Sequence, residues 1–271
     1  MSLIAAVAFA SLTQSSDQQA IAMLGRVLLH YRNTTTASGS VALTISDGKG
    51  SKLVTTEFGY EKPSHMWLVQ RQDGAGGWKY SARSDGRYLI YDPPLAVNGL
   101  FRRSDDLPIL ENVRTEDGTL RTVPDLFGGF RNLLLTEDNP PLDIVFSRKE
   151  HLEFLRTQWG TIATEGKGKV GAQDVTWIGG DFKPVGTYVN GHWRMAVTPS
   201  DDIVRYELQR RYSEKAGTDA GAINVAFVFD VAVKLEDKIA PETYAIDKKL
   251  VKRIVEEMKS HGKDVTPFLG G

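Results

Sequence analysis

No cysteine occurs among the 271 residues. That excludes a disulfide framework, a zinc–thiolate site and a thiol nucleophile, and no acyl anchor on a mature N-terminal cysteine is expected. Charge of one sign is also missing: the net value is −1, so the basic footprint that nucleic acid demands is lacking and no nucleic-acid partner is expected. No stretch approaches the ~20 apolar residues that span a bilayer as a helix. The H-E-x-x-H spacing, the G-x-S-x-G elbow and the phosphate loop are all absent. His30, His65, His151, His192 and His261 are scattered, which suits solvated or locally bonded imidazoles. Asp105-Asp106 and Asp201-Asp202 are adjacent pairs in turn-like settings, and neighbouring positions point apart, which disfavours paired acid–base work. Neither a metal nor a cofactor is expected, and no catalytic residue stands out. The chain is not expected to be an enzyme.

An apolar content of 41% with 25% charged residues is that of a folded globular protein. The first residues, rich in Ala and Leu and carrying Ala8-Phe9-Ala10, read as the back half of an export signal spanning 1–16. No Lys or Arg precedes Arg26, and the apolar core is short, so a buried N-terminal segment suits the same composition. Ser16-Asp17 can cap an amphipathic helix over 18–31, with Ile21, Leu24, Leu28 and Tyr31 on its apolar stripe and Met23 and Val27 alongside. Alternation then signals strands from Val41 onward, turned at Asp47-Gly48-Lys49-Gly50.

The stretch 54–94 is a meander of strand-like runs broken only at Pro63, Asp73-Gly74 and Asp85-Gly86. It carries Phe58, Tyr60, Trp67, Trp78, Tyr80, Tyr88 and Tyr91, enough aromatic surface to wall an apolar container. Met66-Trp-Leu-Val69 and Tyr88-Leu-Ile-Tyr91 are apolar at every position, which predicts a sheet covered on both faces but leaves the inward parity open. Residues 100–166 read as a mostly helical insertion or lid. One helix opens at Pro124, and another runs over 142–156 after the Asn139-Pro140-Pro141 break. Gly166-Lys-Gly168-Lys-Val-Gly171 matches a dinucleotide fingerprint in letters only, because strand character follows it; a Gly-rich turn is expected. Further strands are expected over 173–178, 193–197, 203–211, 223–233 and 243–246. A basic amphipathic helix over 248–261 then closes the domain with its charges solvated, or lies on an anionic membrane. Neighbouring strands joined by short turns favour an antiparallel α+β domain over β-α-β crossovers.

The wording of two regions is specific. Phe58-Gly-Tyr-Glu-Lys-Pro63 with Met66-Trp67, followed by Ser84-Asp-Gly-Arg-Tyr-Leu-Ile-Tyr-Asp-Pro93, resembles the LolA/LolB-like lipoprotein-carrier family. Phe227-x-Phe229 leading into the run from Val233 to Tyr244 is similar to that family's closing strands, whereas the middle third has no clear counterpart. The resemblance implies an incomplete antiparallel β-barrel closed by helices around an apolar cavity. One domain over 17–262 is expected, with the helical insertion around 124–156 and a tail over 263–271. It further implies a periplasmic carrier for the acyl chain of a lipid or lipoprotein, with transient contact to a membrane or a membrane protein. An envelope-sensing scaffold of the RseB type is one alternative on the same fold, and an enzyme whose site is assembled from dispersed Asp and His residues is another. Tyr60, Trp67, Trp78, Leu89, Tyr91 and Phe229 become candidates for the cavity wall, with Lys62 at its rim. The family has Arg where this chain has Lys62, which keeps the charge and loses the bidentate fork.

Overall fold

A computed structural model describes residues 16–72, 78–92, 107–131, 134, 139–147, 149–183, 188–213 and 221–269. The possible export signal lies outside them, as do Asp105-Asp106 and the Asp73-Gly74 turn. Eleven strands form one sheet in the order β6-β5-β4-β3-β2-β1-β11-β10-β9-β8-β7, and every neighbouring pair is antiparallel. The strands are β1 (Thr36–Ser46), β2 (Ser51–Glu61), β3 (His65–Gln72), β4 (Trp78–Asp85), β5 (Tyr88–Asp92) and β6 (Ile109–Asn112), then β7 (Ala163–Val170), β8 (Gln173–Asp181), β9 (Tyr188–Val197), β10 (Ile203–Tyr212) and β11 (Ile223–Leu235). The first and last strands, β6 and β7 in sheet order, do not pair, so the barrel stays open. The expected incomplete antiparallel barrel is therefore what forms.

Local chemistry fixes the meander. At the first turn Asp47 Oδ1 accepts from the backbone of Lys49 (2.9 Å) and Gly50 (3.2 Å), while Gly48 takes the left-handed φ of 80°. Asp85 repeats the device, accepting from Arg87 N (3.0 Å) and Tyr88 N (2.8 Å) around Gly86 at φ 83°. With register set this way, one face collects every second side chain: Phe58 and Tyr60, Met66 and Leu68, Tyr80 and Ala82, Leu89 and Tyr91, all buried. The second half of the sheet continues that face with Ile178, Trp193, Met195, Tyr206, Leu208 and Phe229.

Three helices pack on this inner face and share its apolar cluster: α1 (Ser16–Asn33), α2 (Val123–Phe130) and α3 (Pro140–Phe146). The stripe that α1 buries is Ala20, Leu24, Val27 and Tyr31. Ile21, expected inside, is 56% exposed, because the helix is rotated by about one position from the predicted stripe. The single helix expected over 142–156 is two, α3 and α4 (Lys149–Gln158), since Ser147 adopts a left-handed φ of 55° and ends the first. The Gly166–Val170 run, expected as a turn, is the edge strand β7, and the turn proper falls at Gly171 with φ 57°. Gly166, at φ 116°, marks a register shift against β8, so its glycines serve a bulge rather than a phosphate. The stretch 243–246 carries no strand; a 3₁₀ turn at Pro241–Thr243 leads instead toward α5.

Over β5 and β6 the opposite, outer face is covered by the C-terminal elements. In α5 (Lys248–Ser260), Ile254 is buried against Tyr88 and Leu110 of β5 and β6, with Leu250, Val251, Val255 and Met258 alongside. Phe268 of α6 (Thr266–Leu269) joins the same cluster. The basic residues of α5 stay exposed, so this helix closes the domain with its charges solvated. No helix among the described residues is long and apolar enough to cross a membrane.

Candidate functional site

The inner face is aromatic across much of its width, and the chain's own lid helices fill it. Phe127 of α2 and Phe146 of α3 stack with centroids 4.2 Å apart and planes 7° from parallel. Phe146 lies 5.5 Å from both Phe58 and Tyr60 of β2. Phe130 of α2 meets Tyr80 of β4 at 5.9 Å and Tyr91 of β5 at 6.4 Å. In the other half Trp159, just after α4, stacks on Trp193 of β9 at 4.5 Å, and its Nε1 donates to Tyr206 Oη (3.2 Å). Trp193 and Tyr206 are 5.9 Å apart, and Tyr206 meets Phe229 edge-on at 6.1 Å. Burial pushes the phenols of Tyr31, Tyr60 and Tyr80 well above their ordinary value, so all three stay protonated and neutral.

Of the sequence candidates, Tyr60, Leu89, Tyr91 and Phe229 share this inner face. Tyr60 Oη reaches Val145 O of α3 (3.4 Å), and Tyr91 Oη donates to Glu111 (2.6 Å). Trp67 does not belong with them. It pairs with Gly59 between the inward Met66 and Leu68, so parity turns it to the outer face. There its ring covers Gly59, where a Cβ would collide with Trp67 Nε1, and Ile239 packs beside it. Trp78 has a described backbone, opposite Gln72, but its side chain lies outside the described residues. Sequence reasoning passed over Phe146, Trp159, Trp193 and Tyr206. Phe127 and Phe130 were legible as one helical face, but the partner of that face was not.

Lys62 lies at the end of the barrel where α1 ends and α2 begins. Its Nζ donates to Arg32 O in the last turn of α1 (2.7 Å), and its backbone N donates to Thr35 O (2.8 Å). The carbonyl of Pro63 accepts from Val123 N at the start of α2 (2.7 Å). One turn thus holds the C-terminal end of α1 and the N-terminal end of α2. A point charge on a helix C-terminal carbonyl is what an ammonium supplies well. Partial burial lowers the Lys62 ammonium pKa, while Glu236 opposes the shift.

Two further ties fix the lid. Arg131, at the end of α2, forms a bidentate pair with Asp143 of α3 (2.5 and 2.6 Å), and both are buried. On α1, Arg26 Nε contacts both Asp201 oxygens (3.2 Å), His30 Nε2 meets Asp202 (3.1 Å), and Tyr31 Oη accepts from Ile203 N (3.0 Å). The Asp201-Asp202 pair therefore anchors α1 to the β9–β10 turn. A separate groove of about 610 Å³ runs between α1, α2 and α4, lined by Leu28, Leu29, Pro124 and Leu152. Among the described residues, no group of three or more His, Asp or Glu side chains could hold a metal ion.

Fold and site together define an α+β protein whose open antiparallel barrel wraps an aromatic interior capped by helices. No family model and no curated protein matches the sequence. Among solved structures the chain is similar to LprF from Mycobacterium bovis, at 8% identity over 84% of this chain and 97% of that one, with a TM-score of 0.42. It is also similar to the MucA/MucB complex of Pseudomonas aeruginosa, at 11% identity over 84% of this chain and 61% of that one, with a TM-score of 0.41. A LolA superfamily protein from Nitrosomonas europaea is matched at 11% identity over 84% and 98% of the two chains, with a TM-score of 0.32. Likenesses at this level concern the course of the chain and carry nothing about function.

Proposed function

We propose that the protein is an exported, periplasmic binding protein that holds the acyl chains of a lipid or lipoprotein between its inner sheet face and helices α1–α3, without catalysing a reaction. The observation that carries this reading is the Phe127–Phe130–Phe146 cluster laid on Phe58, Tyr60, Tyr80 and Tyr91. Those rings keep an aromatic sheet face out of water, and hydrocarbon chains can take their place at little net cost. Each buried CH₂ is worth about 0.8 kcal/mol, so chains of ordinary length offset displacement of the lid. Arg131–Asp143 joins α2 to α3, and among the described residues polar ties from this pair of helices to the sheet side include those at the Lys62-Pro63 turn and at Tyr60–Val145, so α2 and α3 can move together while α1 stays anchored at Asp201–Ile203.

The test is native mass spectrometry on protein prepared from a membrane-containing extract, combined with uptake of a fluorescent fatty-acyl probe. Bound lipid and saturable uptake are expected. A ligand-free spectrum together with no uptake rejects the proposal. A second reading, an envelope-sensing scaffold, is favoured by one feature: the interior is already filled by the chain's own side chains, so the fold is complete without a ligand. A stable partner recovered by pull-down in the absence of lipid, and lost on changing exposed residues, supports that alternative.

A further inference from the structure

The inner wall is not purely apolar. Thr56, Gln70 and Tyr80 stand side by side on β2, β3 and β4, with Thr56 opposite Gln70 and Gln70 opposite Tyr80. All three are sealed from solvent, at 1%, 0% and 0% exposure. Gln70 Nε2 donates to Thr56 Oγ1 (3.0 Å). Beyond it, Tyr80 Oη has no hydrogen-bond partner among the described residues, and neither has Trp193 Nε1 on β9, which is also fully buried. Buried phenols and indoles ordinarily find a partner, since an orphaned donor keeps its desolvation cost. Burial keeps the Tyr80 phenol protonated, so it offers a proton at any physiological pH.

A hydrocarbon chain leaves both donors as they are. A chain joined through a carbonyl satisfies them. We infer that the inner face selects carbonyl-linked acyl chains, esters or amides, over plain alkyl chains, with Tyr80 Oη as the donor that sets the preference and Trp193 Nε1 as its counterpart in the other half of the sheet. This deepens the acyl-binding proposal and rests on it. Tyr80 lies beneath Phe130 of α2, so it becomes available on the same lid displacement that admits the chain.

The experiment compares a short-chain phosphatidylcholine with two ester-linked chains against its ether-linked analogue of equal chain length, each displacing a fluorescent fatty-acyl probe. The wild-type protein is expected to bind the ester about tenfold more tightly, equivalent to about 1.4 kcal/mol. Tyr80→Phe keeps the ring and removes the donor, so it is expected to reduce ester affinity to the ether level while ether affinity holds. Equal binding of the two lipids by wild type overturns the inference and leaves acyl binding intact. So does a Tyr80→Phe protein that retains the preference, or a folded one that loses both lipids. Failure of the wild type to bind either lipid overturns the inference and the acyl-binding proposal together. Should Tyr80→Phe not fold, the ester–ether comparison on the wild-type protein decides by itself.

Discussion

Four phenols, those of Tyr31, Tyr60, Tyr80 and Tyr244, are held above their ordinary value chiefly by burial, and this couples stability to alkaline pH. In the unfolded chain a tyrosine loses its proton near pH 10, so above that pH the folded state binds more protons than the unfolded one. Their contribution is fully present below pH 10 and falls as pH rises through the folded values, by about 1.4 kcal/mol per pH unit for each phenol. Lys62 acts in the opposite sense. Its lowered pKa makes stability rise with pH just below the ordinary lysine value, but it is one half-buried group against four buried phenols. The urea midpoint is expected to drop steeply between pH 10 and 11.5, and Tyr80→Phe should make the drop shallower. An unchanged slope in that variant contradicts the assignment. Tyr80 is the informative choice because its hydroxyl has no partner among the described residues to lose.

At the level of elements, a buried ion pair joins two of the lid helices. Arg131 and Asp143 join the end of α2 to the first turn of α3, and removing one partner leaves the other charged in an apolar setting. Asp143→Ala is expected to cost about 3–5 kcal/mol, a large share of a domain's usual 5–15 kcal/mol, whereas Arg131→Met combined with Asp143→Leu should recover most of it. Denaturant titration of the single and double variants decides the point; a double variant as weak as the single one counts against it. The strands were largely legible in the sequence, because alternation and the Asp-Gly turns set register locally. The helical middle was less so. Nothing short of geometry shows that Ser147 breaks the 140–158 stretch in two, or that Gly166 is a bulge in a strand. Of the candidate wall residues, Tyr60, Leu89, Tyr91 and Phe229 lie on the inner face. Trp67 was misplaced because its run is apolar at every position, so only pairing with the small Gly59 turns it outward. Phe146 and Trp193 gave no local signal. Their role depends on which distant strand or helix faces them, and that is long-range information.

Across the whole molecule the central pair β1–β11 matters most. It joins residues about two hundred positions apart, Val41 beside Val231 and Leu43 beside Phe229, and sews the two ends of the chain into one sheet. The β2–β6 half and the β7–β10 half thus share one apolar cluster, with α1 and α3 packed across it. Neither half buries its inner face alone, so the two should not unfold separately. Closing so long a loop before its contacts form also makes folding slow, in the millisecond-to-second range of β-rich domains or slower. Equilibrium unfolding is therefore expected to give coincident transitions by far-UV circular dichroism and by tryptophan fluorescence, to which the buried Trp159–Trp193 stack contributes. Replacing Val231 with Asp, at the centre of the shared strand, should shift both probes together to lower urea. Two resolved transitions, or a fluorescence change that precedes loss of strand signal, would mean that the halves are independent units and that the acyl-binding interior belongs to only one of them.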